Sequence, residues 1–270
     1  MYADPSRPVN AIVYIPSWRV SLCALPLVHL LYLLQLASFP LMSYARSPPE
    51  TRELRELVRF RCKLSNLRTG IKAQAHAVMA KNGILPCRND MWGESGTAQF
   101  DALELPDAFD HRLAVLRDLV HYYDDEITRL DYTIHSICRD DPGYQAVQAI
   151  YGVGQVFAAV FVAEIGDVHR FDSPQALCSW AGLTPIHRES DGKVHRGRIT
   201  KQGSRLVRWA AIEAVARYHG GEPFTEQFHV IAKRRGKTRA NIAIARKVLT
   251  LVYYGLRDGE IRCLQRTQAA

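Results

Sequence analysis

Ser190 stands in Ser190-Asp191-Gly192 with Arg188 and Lys193 beside it, and Arg196, Arg198, Lys201, Arg205 and Arg208 follow in the same run. Against these cations the run carries the acids Glu189 and Asp191. A serine that attacks phosphorus needs cations close by, because they lower the cost of the alkoxide and stabilise the charge of the pentavalent transition state. A loop serine alone is more often a turn former, so the surrounding charge makes the case for Ser190. Ser204, in Gly203-Ser204-Arg205, is the rival nucleophile. It stands where the following helix wants an N-cap, and that role needs no chemistry.

A second basic run holds Lys233, Arg234, Arg235, Lys237, Arg239, Arg246 and Lys247 with no acid among them. Solvated positive faces are common, but two such runs in one small region make a field suited to a phosphate backbone. The formal net charge of +8 agrees with a polyanionic partner without requiring one. Trp209 is the aromatic next to the first run, too little for a single-strand stacking platform on sequence grounds. Ile150-Tyr151-Gly152-Val153-Gly154 has the form of a turn between helices. The amides of Gly152 and Gly154 are candidates for a phosphate, although a bare helix–helix turn would need the same glycines. Glu164 and Asp167 read as structural partners of the basic loop rather than metal ligands. The six cysteines (Cys23, Cys62, Cys87, Cys138, Cys178, Cys263) show no metal-ligand spacing and read as buried thiols of a reducing cytoplasm.

The elements that must position these residues are helical. Leu57, Leu64, Ile71 and Val78 recur every seven residues, with Phe60 and Leu67 at the companion position, up to a stop at Asn82-Gly83. A second helix opens at Pro106 and carries Phe109, Leu113, Leu116, Val120, Tyr123, Ile127, Leu130, Ile134 and Ile137 at steps of four and three, until Asp141-Pro142-Gly143. Joined by a connector of about 22 residues, the two pack either as an antiparallel hairpin or as the seam of an oligomer. Short helices are expected over Gln145–Ile150, Val156–Ile165, from Ser173-Pro174 to Ala181-Gly182, Leu206–Tyr218, Pro223–Lys233 and Arg239–Leu256. Between them lies a long polar loop, Thr184–Gln202. The fold class is thus mainly α: a long coiled-coil helical hairpin over 47–142, then a compact all-α domain over 143–265 with a helix-hairpin-helix-like element.

Residues 1–46 differ from all of this. Val20 to Pro40 is nearly continuous apolar sequence, close in length to a membrane span, but Pro26, His29 and Gln35 interrupt it. A membrane-tethered nucleic-acid binder is therefore the least favoured class, and a core helix or a misread gene start is the plainer account.

AIYGVGQVFAAVFVAEIGDVHRF, LCSWAGLTPIHRESDGKVHRGRITKQGSRLVRWAAIEA and ARKVLTLVYYGLRDGEIR, in this order and spacing, resemble the IS-one-ten class of insertion-sequence transposases, relatives of the Piv and MooV site-specific DNA recombinases. The resemblance runs from about residue 47 to 263 and implies DNA transposition by a two-part enzyme. An acidic RuvC-like domain with a D-E-D-D tetrad holds a divalent metal such as Mg; a coiled coil and a serine-bearing domain follow. Ser190, after Ala181-Gly182-Leu183-Thr184-Pro185, matches the family serine, with Asp191 as a departure between it and Gly192. Residues 1–45 contain one acid, Asp4, so no tetrad is built there, and the expectation is a truncated or frameshifted transposase, incomplete alone. The resemblance further implies DNA, and in some members a structured guide RNA, as partners; the heptads point to a homo-oligomer or to a hetero-oligomer with full-length transposase. A non-catalytic remnant that regulates or poisons full-length transposase is the alternative. No cofactor is expected in this chain itself.

Overall fold

In a computed structural model the described residues are 48–85, 91–190, 193–217 and 224–264, with the backbone alone described for 187–190 and 193–196. The apolar segment 1–46, Cys23 and Cys87 lie outside them. By its contacts the chain divides at Arg46, and Ser47–Ala270 hold together as one compact unit.

Helix α1 (Pro49–Lys81) starts with proline in its first turn and ends where Asn82 Nδ2 donates to the Val78 carbonyl at 2.8 Å and Gly83 turns to φ +72°. Helix α3 (Asp107–Cys138) opens behind Pro106 with Asp107 and Asp110 near its positive end. The two pack antiparallel. Leu54, Val58, Leu64, Val78 and Met79 are buried against Leu113, Leu116, Val120, Ile127 and Ile134. Arg61 grips Asp131 at 2.8 and 3.0 Å, and Arg68 pairs with Asp124, fixing the register along one flank. These half-exposed pairs contribute about 0–1 kcal/mol each, so the apolar stripe carries the stability.

The stripe differs from the sequence reading in one respect: Phe60 is 46% and Leu67 45% exposed, and Ile137 is exposed too. At 100° per residue they fall on the flank of the hairpin opposite the ion pairs, where Val115, Leu119 and Tyr122 are also exposed. The connector is not a plain linker either. It contains α2 (Glu94–Asp101), and Met91, Trp92 and Phe100 build a small second core with Ala75, Val78, Met79, Leu113 and Leu116.

Asp141-Pro142-Gly143 both ends α3 and begins α4 (Pro142–Gln148): the Asp141 carboxylate caps the Tyr144 amide at 2.8 Å. Helix α5 (Gln155–Ile165) is apolar from Val156 to Ala163, and Phe157–Phe161, Ala163 and Ile165 are buried together with the charged Glu164. Such a helix belongs at the centre. Around it pack α1, α3, α4 and α7 (Arg205–Ala216), with α9 (Lys237–Asp258) behind α4, α6 (Pro174–Trp180) and α7. Burial pushes the Cys138 thiol up to about 11 and the Tyr144 hydroxyl up to about 12, so both stay neutral in this core. Cys62, Cys138 and Cys178 are buried as expected, whereas Cys263 is exposed.

The expectation of an all-α second half is wrong over Thr184–Gln202. In place of a loop there are antiparallel strands β1 (Pro185–Ser190) and β2 (Lys193–Ile199), with an irregularity between Pro185 and His187. Asp-Gly between alternating residues is the strongest short-range hairpin signal, and Asp191-Gly192 supplies it here. Polar residues at adjacent positions, His187 to Ser190 and His195 to Arg198, hide the strand alternation around it.

Candidate nucleic-acid interface

The ribbon rises from a clasp of two backbone segments. The Thr200 amide donates to the Thr184 carbonyl at 2.9 Å, and the Lys201 amide to the Gly182 carbonyl at 3.1 Å. Gly182 (φ +72°) and Gly203 (φ +65°) lie so close to Gln202 and Trp180 that a Cβ on either would sit within 3.0 Å of opposing backbone. Lys201 itself takes φ +57°, an uncommon conformation for a residue with a Cβ. Arg208 stiffens the clasp, its Nη1 donating to the Ala181 and Gln202 carbonyls at 2.8 and 3.0 Å. Burial, then the neighbouring Arg205, lowers the Arg208 pKa from its ordinary value. This guanidinium nitrogen is a structural tie rather than an open phosphate contact.

Register orders the rest. Arg188 pairs with His195 and Ser190 with Lys193, so by the two-residue alternation positions 188, 190, 193 and 195 fall on one face of the ribbon. Arg196, opposite His187, falls on the other. Asp191, Gly192 and the side chains of Arg188, Ser190, Lys193 and Arg196 lie outside what the structure describes. Arg198, Lys201 and Arg205 are exposed at the ribbon's base and on the first turn of α7.

Ser204 is the N-cap of α7: its Oγ accepts from the Val207 amide at 3.3 Å and donates to Glu164 Oε2 at 2.9 Å. Glu164, whose side chain is 4% exposed, also takes both Arg59 Nε (2.6 Å) and Nη2 (3.2 Å). Sequence reasoning placed Glu164 and Asp167 beside the basic loop. Glu164 instead joins α1, α5 and the start of α7, and Asp167 caps the His169 amide at 2.9 Å. A buried carboxylate needs such partners, because uncompensated it would cost several kcal/mol or about that in desolvation. No local signal points to Arg59, since its partner lies far away in the chain.

The second basic run divides. Lys233, Arg234 and Arg235 are exposed on the last turn of α8 (Thr225–Arg235), and Lys237 and Arg239 on the first turns of α9. Cations suit the negative end of α8 but oppose the positive end of α9, so that corner gains from an anion. Lys247 and Arg246 are engaged within the fold: Lys247, half-buried, bonds Gln227 and lies 5.0 Å from the Phe224 ring centre, and Arg246 Nε is buried.

Gly152, at φ +78°, meets the Ala214 carbonyl of α7 so closely that any Cβ would collide. Packing alone therefore accounts for this glycine. Gly154 is the uncapped N-cap of α5, with open space where a Cβ would be. Among the described residues no three His, Cys, Asp or Glu side chains gather as metal ligands, and no helix is long and apolar enough to cross a membrane.

Residues 144–223, which contain the turn, the ribbon and α7, match the family described as Transposase IS116/IS110/IS902 family. A pilin gene-inverting protein of Moraxella lacunata is 32% identical over 149 residues, covering 52% of this chain and 46% of the relative. A probable family 20 transposase of Pseudomonas aeruginosa is 25% identical over 180 residues, covering 64% of this chain and 52% of its own length. The transposase for insertion sequence element IS1111A of Coxiella burnetii is 28% identical over 146 residues, with 52% and 40% covered. The chain thus spans about half the length of the relatives it matches.

Proposed function

We propose that this chain, whose residues 144–223 are a transposase domain of the IS116/IS110/IS902 family, binds DNA and brings Ser190 to a phosphate as the nucleophile of strand exchange. The observation that carries the reading is the clasped β-ribbon, on which position 190 shares a face with Arg188 and Lys193. Arg198, Lys201 and Arg205 at its base, and Lys233, Arg234 and Arg235 exposed on α8, supply the cations that hold the phosphate backbone. By the family resemblance the reaction also needs carboxylates that hold a divalent metal, and full-length transposase or a structured guide RNA are partners of the same kind of assembly. Duplex affinity should fall about a thousandfold between 50 and 200 mM salt if roughly six phosphates are neutralised. A titration at these two salts checks it, and affinity indifferent to salt would overturn the reading.

A second reading concerns assembly. The exposed Phe60, Leu67, Val115, Leu119 and Tyr122 offer one flank of the hairpin to another copy. Leu67→Glu with Leu119→Glu should yield monomers of unchanged helicity by light scattering and circular dichroism. A wild-type chain already monomeric at tens of micromolar concentration contradicts it.

A further inference from the structure

The turn between α4 and α5 borders a cavity of about 860 Å3, lined among others by Gln148, Tyr151, Gly154, Gln155, Phe157 and Arg217. Among the described residues its lining contains one ionisable cation, Arg217, and no acid. Tyr151 is 43% exposed. The Arg217 guanidinium lies 5.5 Å from the Phe157 ring centre, and that ring meets Trp209 edge-on at 5.2 Å. We infer that this cavity receives one unpaired nucleotide of the bound nucleic acid, its base against Tyr151 and its phosphate at Arg217. The inference rests on the DNA-binding reading above.

The occupant follows from the lining. Two rings, two carboxamides and a cation, with no acid among the described lining residues, select a planar, anionic ligand with hydrogen-bonding edges; glutamine amides pair with base edges, and aromatic rings stack on base faces. A paired base in a duplex has both faces covered by its neighbours, so only a base out of the stack reaches such a ring. Volume agrees, since pockets of 300–1,000 Å3 or about that size enclose ligands of nucleotide dimensions.

Location agrees as well. Arg205, Trp209 and Ala216 recur at steps of four and seven on the exposed side of α7, with Arg217 just beyond its end. This stripe joins the ribbon to the cavity. The 12 residues of α7 span roughly 18 Å, or about five nucleotide steps of one strand. Composition around the basic run shows one aromatic, and the fold adds Tyr151 and Phe157 from a distant stretch of chain.

The test uses the full chain with a fluorescent duplex, the same duplex carrying a one-nucleotide 2-aminopurine bulge, and the equivalent pair in RNA. The bulged form should bind about tenfold tighter than the paired form, with 2-aminopurine emission changing as stacking predicts. In Tyr151→Ala and Arg217→Gln that ratio should fall to about one, while Tyr151→Phe keeps it, because stacking needs the ring and not the hydroxyl. Preference confined to the DNA pair or to the RNA pair supports the inference and assigns the source of the nucleotide. Equal affinity for bulged and paired forms, with salt-dependent binding intact, overturns the cavity inference alone. Absence of salt-dependent binding to any of the four overturns the DNA-binding reading with it.

Discussion

Ser190→Ala should abolish strand joining, by about three orders of magnitude or more, while duplex affinity stays within about twofold. The assay supplies a relative's acidic RuvC-like domain ahead of Pro48, because the family resemblance implies that carboxylates holding a divalent metal act together with the serine. On the proposed reading, alanine removes only the Oγ that would bond to phosphorus as a deoxyribose hydroxyl leaves, and keeps Arg188, Lys193, Arg198 and Arg205 to hold the backbone. A covalent protein–DNA adduct should form with Ser190 and be missing with alanine, which a merely positional role would not explain. Ser204→Ala is the counterpart. It removes an N-cap worth about 0.5–2 kcal/mol and a hydrogen bond to a charged partner worth about 1.5–3 kcal/mol, so melting temperature should drop while the adduct still forms. An adduct that survives Ser190→Ala and vanishes with Ser204→Ala would make Ser204 the nucleophile. Strand joining by the chain without the added domain would refute the need for external carboxylates.

What the sequence revealed and what it hid have physical causes that differ by element. The α3 stripe is legible because Leu113, Leu116, Val120, Ile127 and Ile134 keep the three-and-four step of a helix with one buried face, and all are buried. On α1 the same arithmetic misplaced Phe60 and Leu67, since half of that helix packs on α5 as well as α3 and its buried face shifts to Leu54, Val58 and Cys62. The ribbon escapes the pattern because His187-Arg188-Glu189-Ser190 and His195-Arg196-Gly197-Arg198 are polar or small runs that break the alternation of apolar and polar residues that betrays a half-buried strand. Local chemistry was still readable there: Ser204 is the cap its position suggested, and the cations flank position 190. The Arg59–Glu164–Ser204 junction had no such trace. Its three members come from three helices, and only folding brings them within hydrogen-bond distance.

The clasp beneath the ribbon makes the sharpest stability prediction, at Gly203. With φ +65° a Cβ there adopts a conformation that costs about 1–3 kcal/mol for most residues. The same Cβ would fall within 3.0 Å of the Trp180 carbonyl, a backbone atom at the end of α6 that cannot rotate away as a side-chain tip would. Overpacking of that kind adds about 1–3 kcal/mol more. Gly203→Ala should therefore destabilise the fold by about 3 kcal/mol or more in urea unfolding, and the loss should reach the ribbon first. Thr200 and Lys201 donate the amides that seal its base, so their hydrogen exchange should accelerate before that of α5. Gly70→Ala is the control. That glycine sits in the middle of α1 with open space where the Cβ would go, and replacing it should stabilise the protein by about 0.5–1 kcal/mol. Equal stability of the two variants would mean that Gly203 does not pack against the Trp180 carbonyl as described. A Gly203→Ala protein that keeps its fold but loses strand joining would instead place the cost in the ribbon, where a shift of about 1 Å at Ser190 is enough to misalign the attack.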